Sequence, residues 1–222
     1  MCRMHVPFAP RFLYRETIRI PACAESKVIR QFGGRGLYAH VHLSVEPLPR
    51  GQGVELAWSA GNSIRTDLIT PVQHGILETI GQGVWAGFEV TDIRINVTNG
   101  SYHAVDSNLG AFQQAAATAL ASAIHQAEPV ILEAVVSVLI TIPEESMATT
   151  TTAVTARRGQ VKRIDLHPVT ISATVPVSEI PRLFSDITGH THGRAGFTAS
   201  AIRYEELSST EIPPEDEWSS YT

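Results

Sequence analysis

The sequence predicts an α+β protein built as two folded units in succession. Three observations carry that expectation. In the first half, alternating runs at residues 14–20 and 89–98 and an apolar face at Val41, Leu43 and Val45 read as strands, while residues 68–80 and 109–124 repeat with the spacing of amphipathic helices. In the second half the periodicity switches in the order βαββαβ between residues 136 and 204. Between the halves, Glu128-Pro129 interrupts one pattern before the next begins, and the boundary is placed there.

Composition agrees with this division. A chain of 222 residues holds one large domain or two of about a hundred residues each, so a core forms without staples. No apolar run approaches the roughly 20 residues that cross a bilayer, and residues 1–10 lack the continuous apolar segment of a secretory signal. Cys2 and Cys23 are the only cysteines and form no CxxC, which argues against a disulfide framework or a cysteine zinc site and fits a reducing, cytoplasmic setting. The net charge of −5 is unevenly spread: six of the 22 acids follow Arg203, and no Lys or Arg does. Up to residue 204 the chain is near neutrality, so binding to a polyanion would rest on local clusters and not on a global field.

Taken in order, residues 1–13 are an irregular lead-in, and Tyr14 to Ile20 alternates as a strand. Gln31-Phe32-Gly33-Gly34-Arg35-Gly36-Leu37-Tyr38 is a glycine-eased bend before the strand of Val41, Leu43 and Val45, with Arg35 as the one side chain of substance at the bend. That strand places His40 and His42 on its polar face; no third metal ligand stands at a recognisable spacing, so a solvated sheet face is expected. Pro and Gly make a turn of residues 46–53. Leu68, Val72, Ile76 and Ile80 then define a helix stopping at Gly81, in which Pro71 either sits in the first turn, capped by Thr70, or kinks a helix begun at Thr66. After the strand with Ile93, Ile95 and Val97 on one face, residues 99–107 form a strand-to-helix loop presenting Tyr102 and His103. An Ala-rich helix follows, with Leu109, Phe112, Ala116, Ala119 and Ile124 on one side and Asp106 or Ser107 as candidate N-cap.

In the second unit, Val136, Val138, Ile140 and Ile142 alternate up to Pro143. Residues 144–158 read as a helix with acids at its start, Arg157-Arg158 at its end and Gly159 as its stop, although four consecutive threonines, 149–152, weaken its intrinsic propensity. Strands at 160–166 and 169–175, a helix from Ser178 burying Ile180, Leu183, Phe184 and Ile187, and a strand at 197–204 complete a ferredoxin-like sandwich. Residues 208–222 are acidic, contain Ser and Pro without periodicity, and are expected to be disordered.

Three sets of motifs resemble one family. Asn99-Gly100-Ser101-Tyr102-His103-Ala104-Val105-Asp106-Ser107 and Gly33-Gly34-Arg35-Gly36-Leu37-Tyr38 resemble the two tip loops of the fourth domain of elongation factor G, a translational GTPase family. Tyr14-Arg15-Glu16-Thr17-Ile18 resembles the start of that domain, and Glu46-Pro47-Leu48-Pro49-Arg50-Gly51-Gln52-Gly53 a turn within it. Arg157-Arg158-Gly159 and Gly193-Arg194-Ala195-Gly196-Phe197-Thr198 resemble elements of its fifth domain. The chain departs from the family pattern at Ala104, where Asp is usual, and at Leu37, where Gln is usual.

The resemblance implies a ribosomal protein S5 domain 2-like fold for residues 14–128 and the ferredoxin-like sandwich for residues 129–207. It also implies RNA contact by Gly34, Arg35, Gly36, Ser101, Tyr102 and His103 at the decoding region and its tRNA–mRNA duplex, with the two loops side by side. A Tyr ring stacks on bases and an imidazole donates to phosphate or ribose oxygens. Arg157, Arg158, Lys162, Arg163 and Arg194 would position ribosomal RNA phosphates; their other reading is a solvated face with dipole compensation at a helix end. The implied partner is the ribosome, the implied state a monomer off the membrane, and a GTPase acting in trans stays open. The sequence contains no G-x-x-x-x-G-K-[ST], so neither GTP hydrolysis nor any other cofactor or metal is expected. Ser101, His103 and Asp106 make a poor hydrolase triad, crowded on one loop without a nucleophile elbow. Two other possibilities remain: a piece of a tetracycline-resistance ribosomal protection protein, from whose tip loops this sequence departs, and a protein-interaction module without RNA contact.

Overall fold

The computed structural model describes residues 12–32 and 35–207; most of the lead-in, Gly33, Gly34 and the acidic tail lie outside them, as do the side chains of residues 31, 32 and 35. Two compact units are present, Tyr14–Leu132 and Glu133–Glu206.

In the first unit a short strand β1 (Tyr14–Ile18) precedes a long hairpin of β2 (Ala22–Phe32) and β3 (Arg35–Pro47). Strand β4 (Val54–Trp58) leads through a 3-10 turn at Thr66–Leu68 into α1 (Ile69–Gln82); β5 (Ile93–Ser101) and α2 (Leu109–Gln126) follow. The sheet order is β2-β3-β5-β4, antiparallel except for the parallel β4–β5 pair. Helices α1 and α2 pack against each other, and α2 lies across β2 and β3. Phe112, Leu120 and Ile124 of α2 are fully buried with Val41, Leu43, Ile93 and Ile95 of the sheet. At ~2–3 kcal/mol for each large apolar side chain removed from water, this layer is the main source of the unit's stability. A Cβ on Gly75 of α1 would come 2.3 Å from the Gln113 carbonyl oxygen, so glycine is what lets the two helices approach.

Several local expectations are corrected. Pro71 sits in the first turn of α1, and the chain before it takes a separate 3-10 turn, so no kink is needed. Strand β5 starts at Ile93, later than the alternation implies, and runs on through Asn99, Gly100 and Ser101 because these continue to pair with β3 past a bulge at His42/Leu43. The N-cap of α2 is Asn108, whose side chain accepts from the Ala111 amide at 2.8 Å, while Leu109 is turned to solvent. Strands β2 and β4 escape the pattern altogether: β2 buries the small Ala22, Ala24 and Ser26 only in part. Glu16, which alternates onto the same face as Tyr14 and Ile18, is fully buried. Its carboxylate accepts four backbone N–H groups, from Val84 and Trp85 at 2.9 Å, Ala86 at 2.7 Å and Phe88 at 3.1 Å, and so fixes the glycine-containing segment before β5.

Strand β6 (Pro129–Thr141) carries the chain into the second unit, where α3 (Met147–Ala156), β7 (Gln160–Leu166), β8 (Val169–Pro176), α4 (Ile180–His190) and β9 (Gly196–Glu206) follow. Strand β8 lies between β6 and β7, and β9 pairs β6, which is the ferredoxin-like order. The threonine-rich α3 is held by packing of Ala153 and Val154 into the core, while its hydroxyls are satisfied by carbonyls one turn earlier: Thr149 by Ser146, Thr151 by Met147, Thr152 by Ala148 and Thr155 by Thr151, at 2.8–3.1 Å. Its end is a Schellman motif in which the left-handed residue is Arg158 (φ 56°) and not Gly159: Gly159 donates to Val154 O and Arg158 to Thr155 O. Phe184 is half exposed, edge-on to Phe197, whereas Leu183 and Ile187 carry the buried face of α4.

Two stability predictions follow from these contacts. Glu16→Gln leaves an amide N–H₂ facing backbone donors, and is expected to lower the free energy of urea unfolding by roughly 2–4 kcal/mol. Thr150 is buried with no hydrogen-bond partner for its hydroxyl; Thr150→Val keeps the shape, and denaturation should show a gain of about 1 kcal/mol.

Candidate nucleic-acid interface

The β3–β5 pairing places the start of β3 and the end of β5 at one end of the sheet, with His40 opposite Ser101 and His42 opposite Asn99. The β2–β3 hairpin closes there too, at the Phe32/Arg35 pair. After Ser101 the chain makes an exposed bend and folds back along the beginning of β3. Asp106 ties it down twice: its carbonyl accepts the Tyr38 amide at 2.9 Å, and its carboxylate accepts the Gly36 amide at 3.2 Å. Ser107 adds a third tie, its hydroxyl donating to Tyr38 O at 2.8 Å and accepting the His103 amide at 2.9 Å. Asp106 therefore acts as a clasp between the two bends and caps no helix.

Close approach is built into the clasp. A Cβ on Gly36 would lie 2.7 Å from Asp106 Cγ, so any larger residue displaces the carboxylate. The same carboxylate stands 3.0 Å from His103 Nδ1, which leaves Nε2 of that ring for an external group. Ser101 Oγ shares hydrogen bonds with Tyr38 OH (2.7 Å) and His40 Nδ1 (3.1 Å). It is thus engaged away from His103, and the Ser-His-Asp triad is not assembled.

What the bend presents to solvent is a mixed aromatic, cationic and apolar surface. Tyr102 is 42% exposed with the Arg65 guanidinium 5.7 Å from its ring centre, and His103 is exposed beside it. Arg65 is paired with Asp67, whose carboxyl it holds below the usual range. Val105 is 84% exposed, the highest value among the large apolar side chains described, and Leu109 is also exposed. Arg65 and Val105 are members of this surface that sequence pattern does not single out, and Leu109, which its spacing assigns to the apolar side of the helix, is exposed. An apolar position alternating into a loop looks like core, and Arg65 reaches Tyr102 from a distant turn.

Of the expected site residues, Gly36, Ser101, Tyr102 and His103 are brought together at this end, with the backbone of Arg35 beside them. Gly34 lies outside the described residues, and so does the Arg35 side chain. The basic residues of the second unit form a different arrangement. Arg157 is bonded to Asp186 at 2.9 and 3.0 Å, and Arg158 makes a bidentate pair with buried Glu133 at 2.8 and 2.9 Å, which also accepts from Ser178. Arg194 reaches Glu145 and the Thr191 carbonyl, and Lys162 bonds Gln160. Arg157 and Arg158 thus tie separate segments of their own unit together, whereas Arg163 pairs with Asp165 on the exposed surface of its own strand.

Comparison with known proteins identifies the family of the two units. Residues 10–128 match the family model for elongation factor G, domain IV, and residues 130–213 that for the elongation factor G C-terminus. Elongation factor G of Dehalococcoides mccartyi is 37% identical over 201 residues, 89% of this chain and 29% of that protein. An elongation factor G-like protein of Thermotoga maritima is 40% identical over 202 residues, 88% of this chain and 29% of its own length. A crystal structure from Thermus thermophilus superposes with a TM-score of 0.78 at 32% identity, covering 92% of this chain and 31% of that one. The two units are those of a translation elongation factor. The chain belongs to the elongation factor G family, of which it spans domain IV and the C-terminal domain, less than a third of the length of these curated relatives.

The clasp yields a local test. Gly36→Ala should unseat Asp106 and speed amide exchange at Gly36 and Tyr38 by roughly tenfold, equivalent to ~1.4 kcal/mol of local protection, while the thermal midpoint of the chain stays nearly unchanged.

Proposed function

We propose that this chain is a ribosome-directed RNA-binding module of the translocation type, acting through the end of domain IV formed by the Gly36 and Tyr102-His103 bends. The observation that supports it most directly is the clasp: Asp106 holds two separate bends together while leaving Tyr102, His103 and Val105 outward. Tyr102 offers a face for a base or ribose, His103 Nε2 a group for phosphate or 2′-hydroxyl oxygens, and Arg35 a guanidinium for the backbone. The implied target is the tRNA–mRNA duplex at the decoding region. The tip sequence favours the translocation factor over a tetracycline-resistance ribosomal protection protein. Catalysis is not part of the proposal, since the residues present cover only domains IV and V and carry no phosphate-cradling loop. In the C-terminal domain, Lys162 and Arg194 remain the cations proposed to meet ribosomal RNA, and Arg157 and Arg158 contribute by shaping that surface.

Co-sedimentation with ribosomes across a salt series tests the proposal. Phosphate-mediated binding is expected to weaken by roughly tenfold or more between about 50 and 200 mM salt. Tyr102→Ala, His103→Ala and Arg35→Ala should each weaken it by roughly tenfold, or ~1.4 kcal/mol, at unchanged thermal stability. Salt-independent binding that survives all three substitutions would instead identify a protein-interaction module.

A further inference from the structure

On the outer face of the first sheet, away from the helices, β2 and β3 bring Glu25, His40 and His42 together. Glu25 is directly opposite His42 in the register, and His40 is the next residue along on the same face of β3. Both imidazoles turn Nε2 toward one carboxylate oxygen, Glu25 Oε2, at 3.1 Å from His40 and 2.8 Å from His42, with ring centres 4.4 Å apart. The three donor atoms all lie within 4.8 Å of one another.

We propose that Glu25, His40 and His42 form a binding site for a divalent first-row transition-metal ion, for which Zn²⁺ is the natural probe. Tetrahedral zinc, with Zn–N and Zn–O bonds of about 2.0–2.2 Å, requires donors roughly 3.3–3.5 Å apart. The nitrogen-to-oxygen separations of 3.1 Å for His40 and 2.8 Å for His42 are shorter than this by roughly 0.2–0.7 Å, a change that small rotations of the Glu25 and His42 side chains supply. Imidazole and carboxylate together suit zinc, copper and nickel better than magnesium or calcium.

The surroundings complete the site. His40 Nδ1 is 3.1 Å from Ser101 Oγ, so with Nε2 on the ion the ring's remaining proton is donated to that hydroxyl, the orienting bond that metal-bound histidines characteristically make. Glu25 and His42 also line a surface groove with Cys23, Leu43 and Thr98, which gives an ion access and leaves room for solvent in the coordination position that three protein ligands do not fill. Lys27, opposite His40, places a positive charge beside the site that works against a bound cation and weakens its affinity. Binding adds two positive charges to this face. It also fixes the His40 tautomer, and through Ser101 and Tyr38 the ion is mechanically joined to the end of the sheet that carries the tip bends.

Calorimetric titration of Zn²⁺ into the full chain, free of any histidine tag, tests the site. The chain has nine histidines and two cysteines, so the substitutions decide the assignment. One ion should bind per chain with micromolar affinity; His42→Ala and the isosteric Glu25→Gln should each weaken it by roughly tenfold or more. Cys23→Ser and His74→Ala should leave it unchanged, and circular dichroism should show every variant folded. Cobalt in place of zinc should give visible absorption of tetrahedral type without a thiolate band. The proposal is overturned if the parent chain binds no zinc, if Glu25→Gln binds as the parent does, or if Cys23→Ser abolishes binding.

Discussion

The pairing of β3 with β5 is the constraint on which the candidate site depends. Its register, shifted by one residue at the bulge after His42, brings the glycine-rich hairpin and the end of β5 to the same edge. A slip by one position would turn Val41, Leu43 and Val45 outward and send His40 and His42 into the core. The buried apolar faces of β3 and β5 against α2 therefore fix the location of both bends before any polar contact forms. Asp106 then converts proximity into a defined geometry. A carboxylate accepting a backbone amide and facing an imidazole holds three groups that the chain brings from positions 36, 103 and 106.

Much of this was legible in the residues, and the parts that were not share a physical cause. Strands β3, β5 and β8 and helices α1 and α4 announce themselves because their buried faces carry large apolar side chains at regular spacing, while the Ala-rich α2 is marked by propensity together with Phe112, Leu120 and Ile124. Strand β2 does not, because its inward positions begin with Ala22, Ala24 and Ser26, whose small volumes give no hydrophobic signal; its partner strand and α2 supply the bulk. Glu16 is the sharper case. Alternation sets it on the face of Tyr14 and Ile18, but the four amides that satisfy its buried carboxylate lie 68 to 72 positions later, and no local pattern encodes that.

At the candidate site the same division holds. Glycine, tyrosine and histidine in a short loop mark the place, and the resemblance to a known family names it. The roles of the individual polar groups come only from the fold. Asp106 and Ser107 resemble helix caps by position, whereas Asn108 takes that task because the two residues before it are already bound back to β3. His40 and His42 lack a metal partner in sequence spacing because the carboxylate that meets them comes from across the hairpin, at Glu25.

The ion pairs of the C-terminal domain alter how that domain is felt at a distance. With Arg157 against Asp186, Arg158 against Glu133 and Arg194 against Glu145, each cation is coupled to its own counter-charge. Seen from several ångströms away, such couples are dipoles and not monopoles, and their potential decays faster than that of an isolated charge before screening within about 8 Å removes the remainder. An approaching anion is consequently not drawn in from afar by this lobe. It feels these arginines only at contact, where orientation and shape, more than attraction through solvent, govern whether the encounter lasts.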